Sequence, residues 1–148
     1  EQEAAGDVPP GPFLFTTEPY ERQRYLTLQV SDQVRSSQLF YEDSPELFAV
    51  GPSFVRRSMP GFFPGTVVVI GGCQSLAGPD LARALLEKGA SVVVGWDGMV
   101  NLSHNNEAML HLLEQMLREG ASADEAVAAT MAAVGPDPKF QSKLKVME

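Results

Sequence analysis

The chain has 148 residues, of which 44% are hydrophobic and 20% charged, a balance that fits one globular domain with its own core. Eleven Lys and Arg against nineteen Asp and Glu leave a net charge of −8, which argues against nucleic acid as a partner because a phosphate backbone is bound by a basic surface. The longest apolar run, residues 66–72, is far too short to cross a bilayer, and no amino-terminal stretch has the form of a signal peptide.

Residues 1–12 (EQEAAGDVPPGP) are acidic and rich in Pro and Gly, and read as a flexible lead. A single α/β domain is expected over residues 13–148. It opens with a short FLF strand, followed by residues 20–34, where Leu26, Val30 and Val34 recur every four positions while Leu26, Leu28 and Val30 alternate. Helix and strand compete there. Residues 53–59 read as a short helix closed by Pro60-Gly61, with Arg56-Arg57 on its surface.

The second half carries stronger signals. Residues 66–70 (TVVVI) are a continuous β-branched run, the mark of a strand buried on both faces as in parallel sheets. Gly71-Gly72 breaks it, Pro79-Asp80 opens a helix, and Gly89 closes that helix after Lys88. A second strand, residues 91–95 (SVVVG), follows at once, so the segment is a βαβ unit.

Beyond it, Met109, Leu112, Leu113, Met116 and Leu117 form the core-facing stripe of a helix that ends at Gly120. Ser122 and Glu125 make a capping box for another helix, which faces inward through Val127, Thr130, Met131 and Val134 and closes at Gly135-Pro136. Residues 143–147 supply a last edge strand.

Ligands of open α/β sheets bind beyond the carboxyl ends of the strands, which singles out Gly71, Gly72, Cys73, Gln74 and Ser75 after the first strand, and Trp96, Asp97 and Gly98 after the second. Cys73 is the one cysteine of the chain, so neither an internal disulfide nor a cysteine-based zinc site can be built. At a strand end a thiol can act as a nucleophile, with the amides of Gly72 and Cys73 meeting the oxyanion. The plain alternative is a cysteine that only packs.

Asp97 can receive a cationic side chain or serve an Asp-Gly turn, and Trp96 is a cleft aromatic or a core one. His104 enters a helix close to the same edge, where it could be a cleft polar group or share in a cap with Ser103 and Asn105. His111, seven residues on, lies on the polar face and reads as solvated. At that spacing the two rings are two turns, about 10 Å, apart, too far to share a metal ion. Glu114, Glu119, Asp124 and Glu125 read as solvated faces and caps. Gly71-Gly72 lacks the Lys-Ser/Thr of a P-loop. No cofactor or metal is indicated.

The stretch VVVIGGCQSLAGPDLARALLEKGASVVVGWDGMV, followed by a helix and then by EGASADEAVAATMAAVG, resembles the carboxy-terminal half of caspase-like (clan CD) cysteine peptidases, in particular the clostripain-like and CHAT-like branches. The likeness spans residues 66–135. It implies a three-layer fold with a mostly parallel sheet and helices on both faces, incomplete in this chain. It also implies that Cys73 is the nucleophile and that Asp97 stands near the substrate-pocket strand edge, where some relatives hold an acid for Arg or Lys side chains. The family takes its base from a His-Gly motif upstream of the cysteine, and no histidine precedes Cys73 here.

Three readings follow. The first is the cysteine-bearing part of a peptidase acting on a peptide or protein, with specificity for basic residues and a histidine supplied from outside. The second is an inactive scaffold for protein association, and the third a small nucleotide- or phosphate-binding domain. A caspase-like sheet lacking its first strands exposes an apolar edge, so a partner chain, a missing amino-terminal segment or a homodimer is expected. The chain begins at Glu1 rather than Met, which is taken as a processed or truncated start. The compartment stays open.

Overall fold

The structure, a computed structural model, describes residues 11–39, 41 and 43–148; most of the expected acidic lead lies outside them. The first half forms a small antiparallel sheet, ordered β1-β3-β2, from β1 (Leu14–Pro19), β2 (Val34–Ser37) and β3 (Leu47–Val50). β3 is central and pairs Val50 with both Leu14 and Val34. Its Phe48 and Ala49 are buried, and the rings of Tyr20 and Tyr25 meet Phe48 edge-on at 5.0 and 5.3 Å.

The competing patterns of residues 20–34 are both realised, in succession. Helix α1 (Leu26–Val30) forms first, Asp32 turns the chain with a φ of 56°, and β2 starts at Val34. Leu26 and Val30, the pair that suggested a helix stripe, lie exposed on α1. Their spacing marks a helix and not a core face. Helix α2 (Pro52–Arg57) then begins with proline in its first turn, where no N–H is missed, and Arg56 reaches over to pair with Glu87 at 2.6 Å.

The second half is a mixed sheet, ordered β4-β5-β6, from β4 (Val67–Ile70), β5 (Val92–Trp96) and β6 (Leu144–Met147), with helix α3 (Asp80–Glu87) between β4 and β5. β4 and β5 are parallel, Val67 opposite Val92 through Ile70 opposite Gly95, whereas β6 runs antiparallel to β5. The chain is therefore α/β, and among the described residues parallel pairing is confined to one strand pair. Gly89 closes α3 with a φ of +98°, a conformation costly for a residue with a Cβ.

Successive residues of β5 face opposite layers. Val94 and Trp96 join Leu144, Ala108, Leu112 and Ala126 under α4 (Leu102–Leu117) and α5 (Ala123–Ala133). Val93 packs with Leu81, Ala84, Leu85 and Val55 under α2 and α3. β4 departs from the expected strand buried on both faces: it is an edge strand, Val67 is exposed, and Val68, Val69 and Ile70 are only half-buried.

The stripe on α4 is also turned from its expected position. Asn105, Ala108 and Leu112 are its buried residues and Met109 and Met116 pack beside them as expected, but Leu117 is 79% exposed and Leu113 is exposed as well. On that buried side Asn105 Oδ1 accepts the indole N–H of Trp96 at 2.9 Å. The capping box forms as expected, with Ser122 N–H donating to Glu125 Oε2 at 2.9 Å and Glu125 N–H donating to Ser122 Oγ at 3.3 Å.

Candidate functional site

The loops that leave β4 and β5 are tied to each other. Gln74 adopts a left-handed backbone, φ 58°, rare for a residue with a side chain. The turn sends its N–H to Gly98 O at 2.8 Å and the N–H of Leu76 to Trp96 O at 2.8 Å. Between them Ser75, buried, donates to Ile70 O at 3.0 Å and accepts the Trp96 N–H at 2.9 Å, so one hydroxyl joins the ends of both strands. Gly95 makes room for it: a Cβ there would fall 2.5 Å from Ser75 Oγ.

Cys73 sits exposed at the outer end of this turn. Its thiol lies 3.3 Å from Val100 O, to which it can donate, and the Val100 N–H points at the sulfur from 3.4 Å. The N–H groups of Gly72 and Cys73 donate to no acceptor among the described residues. Gly72, Cys73, Gln74 and Ser75 form one wall of a cleft of about 660 Å³. The opposite wall comes from the antiparallel sheet: Phe13, Leu14 and Phe15 around the start of β1, and Arg35 to Leu39 along and after β2.

These first-half residues were not singled out from the sequence, because only the pairing of β1, β2 and β3 carries them to the end of β4. A faint signal exists in the neighbouring aromatics Phe13 and Phe15. The latter stays 46% exposed.

The second loop serves the fold. Trp96 is fully buried, with its N–H on Asn105, and offers no face to a ligand. Asp97 is engaged with β6: Oδ1 accepts the Lys143 N–H at 2.7 Å, Oδ2 lies 3.7 Å from Lys145 Nζ, and its own N–H donates to Lys143 O. It does not line the cleft.

His104 does not reach the thiol. Its Nε2–H donates to Gly135 O at 3.0 Å, and its ring packs 5.8 Å from Trp96. The cap of α4 is Asn101, whose Oδ1 accepts from Ser103 N–H at 3.0 Å, so His104 and Asn105 are free for these other contacts. His111 is not solvated as its helical position suggested: Nδ1 shares a hydrogen bond with Thr130 Oγ1 at 2.9 Å across the α4–α5 contact. No group of three or more His, Cys, Asp and Glu side chains that could hold a metal ion occurs among the described residues.

The most heavily bonded carboxylate is one that sequence reasoning passed over. Asp137, buried, accepts from Asn101 N–H at 2.8 Å, Lys139 N–H at 2.9 Å and Phe140 N–H at 2.8 Å. Burial pushes its pKa up, but the three N–H donors and the nearby His104 outweigh that and hold it below the usual carboxylate range. Asp137 thus locks the chain after α5 to the start of α4. The available signal was an Asx turn in Pro136-Asp137-Pro138, a sequence that favours local backbone donors.

No protein-family description, curated protein or solved structure matches this chain. No helix among the described residues is long and apolar enough to cross a membrane.

Proposed function

We propose that the chain is the cysteine-bearing part of a caspase-like cysteine peptidase, with Cys73 as nucleophile. The observation that carries this reading is the placement of an exposed thiol at the carboxyl end of a parallel strand, on the wall of a cleft. In the reaction the Cys73 thiolate attacks the scissile carbonyl carbon, and the N–H groups of Gly72 and Cys73, without acceptors among the described residues, are the candidate donors to the oxyanion. The C–N bond then breaks, the amine leaves with a proton from a general acid, and water hydrolyses the thioester to release the acid and the free thiol.

Both histidines of the chain are bonded elsewhere, so this reading takes the general base from a second segment or partner chain. The finer fold reading, a three-layer sheet of mostly parallel strands, belongs to the same proposal. Parallel β4 and β5 with helices against both faces support it, and the antiparallel β6 does not. The open edge of β4 is where further strands would add.

One specific observation favours a second reading, an inactive scaffold for protein association: neither histidine contacts the thiol. Alkylation of the complete protein by iodoacetamide across pH 5–9 separates the two. A nucleophile paired with a base reacts at neutral pH well above the rate of a free thiol, and Cys73→Ala abolishes both labelling and peptide hydrolysis. A rate that merely follows an ordinary thiol's ionisation removes the peptidase reading and leaves the scaffold.

A further inference from the structure

The cleft beside Cys73 has a pronounced chemical character. Its inner surface is made by Phe13, Leu14, Phe15, Leu39, Ile70 and Leu81, from both sheets and from α3. Among the lining residues the one charged side chain is Arg35. Its guanidinium lies 4.5 Å over the Phe13 ring and is held by both oxygens of Asp32, at 2.7 and 3.0 Å. Among the described residues no carboxylate lines the cleft: Asp97 is held by β6 and the residue before it, Asp32 by Arg35, and Asp80, which lies beside Gly11, is outside the lining.

We propose that this cleft binds an extended peptide through large apolar side chains, phenylalanine or leucine, and discriminates against lysine and arginine. The proposal takes its use, a peptide presented to the thiol, from the peptidase reading; its preference rests on the cleft alone. A space of about 660 Å³ exceeds one side chain and suits two neighbouring apolar ones with the backbone between them. An apolar side chain exchanges water for Phe15 and Leu39, which stand 46% and 42% exposed in the empty cleft. A lysine or arginine loses hydration there, meets the Arg35 guanidinium and finds no acid among the described lining residues. The acid that the sequence offered for a basic substrate is the one the fold has consumed.

The test uses the intact chain and blocked hexapeptides that differ at two central positions, Phe-Leu against Lys-Lys, titrated by calorimetry or by amide chemical shifts. The Phe-Leu peptide is expected to bind at least tenfold more tightly. Leu39→Lys, at a half-exposed position where folding can be confirmed by circular dichroism, is expected to remove that preference. Equal affinities, a preference for Lys-Lys, no measurable binding of the Phe-Leu peptide, or a preference that survives Leu39→Lys would each overturn the proposal.

The same peptides carrying an acyloxymethyl ketone, applied to the complete protein with the segment or partner chain that supplies the base, separate it from the reading beneath it. Tight reversible binding without alkylation of Cys73 upholds the apolar cleft and sinks the nucleophile. Faster alkylation by the lysine ketone than by the Phe-Leu ketone sinks the cleft preference and keeps the nucleophile.

Discussion

Two loops leave the two parallel strands at equivalent points, and they have opposite fates. The loop after β4 turns outward, leaves Cys73 exposed and two amides without acceptors among the described residues, and walls a cleft. The loop after β5 turns inward, buries Trp96 and spends Asp97 on β6. What separates them is the third strand. β6 adds antiparallel to β5 and, with Lys143 just before it and Lys145 within it, holds the second loop, while among the described residues β4 has an open edge and nothing comparable closes over its end. A position at a strand end thus gives an opportunity for chemistry, and the neighbouring strand decides whether it is kept.

The comparison breaks first at Trp96. If the second loop is part of the core, Trp96→Ala removes a fully buried ring and costs about 3–5 kcal/mol. Trp96→Phe keeps most of the volume and costs less, chiefly by leaving Asn105 without its donor. Urea unfolding followed by far-ultraviolet circular dichroism measures both. A midpoint unchanged in Trp96→Ala would mean that the second loop is as open as the first.

The hydroxyl joining the two loops comes next. Ser75→Ala leaves the buried Trp96 N–H without an acceptor, and about 1–3 kcal/mol is expected. Gly95→Ala forces a Cβ against Ser75 Oγ and carries an overpacking cost of about 1–3 kcal/mol. The two changes strike one contact, so the double variant should cost less than the sum of the singles. Simple additivity in the same unfolding experiment would show that Ser75 does not bridge the strands.

How much of this was legible follows from whether a signal is local. The βαβ unit was written in two β-branched runs, Pro79-Asp80 and Gly89, and the capping box in Ser122 and Glu125, because each of these acts within a few residues of itself. β3 has no local signal, and with it goes the antiparallel sheet: Leu47 to Val50 become a strand by pairing with residues ten or more positions away. The far wall of the cleft was lost for the same reason. On α4 the apolar pattern placed Met109, Leu112 and Met116 at the core, as found, but Leu113 and Leu117 are exposed and Asn105 is buried on Trp96, and hydrophobic periodicity does not register a polar core pair. Cys73 was legible as a strand-end residue, whereas the consumption of Asp97 required knowing that β6 lies beside β5.

Asp137 sharpens the comparison through pH. Its carboxyl is held below the ordinary range, so the folded chain binds its proton more weakly than the unfolded chain does. The stabilisation is therefore complete above the unfolded value of about 3.9 and is lost as pH falls through the lower folded value. Glu125, held low by Ser122 N–H, acts in the same direction at an exposed site. Urea midpoints between pH 7 and pH 3 should fall, and fall less steeply in Asp137→Asn. Identical slopes would show that this carboxylate does not hold the second loop's far side.

The smallest effect on stability is expected at Cys73 itself, and it carries the comparison furthest. The side chain is exposed, and its polar contacts are two long sulfur hydrogen bonds with the Val100 backbone, among the weakest of their kind. Cys73→Ala should therefore change unfolding free energy by no more than about 0.5 kcal/mol. Such a value means that the fold does not need the thiol where it stands, in contrast to Trp96 at the equivalent end of β5. A loss above about 1.5 kcal/mol, of the size expected for a packed apolar side chain, would make Cys73 a core residue after all. The two loops would then differ in degree and not in kind, and the case for chemistry at the end of β4 would fall with the distinction.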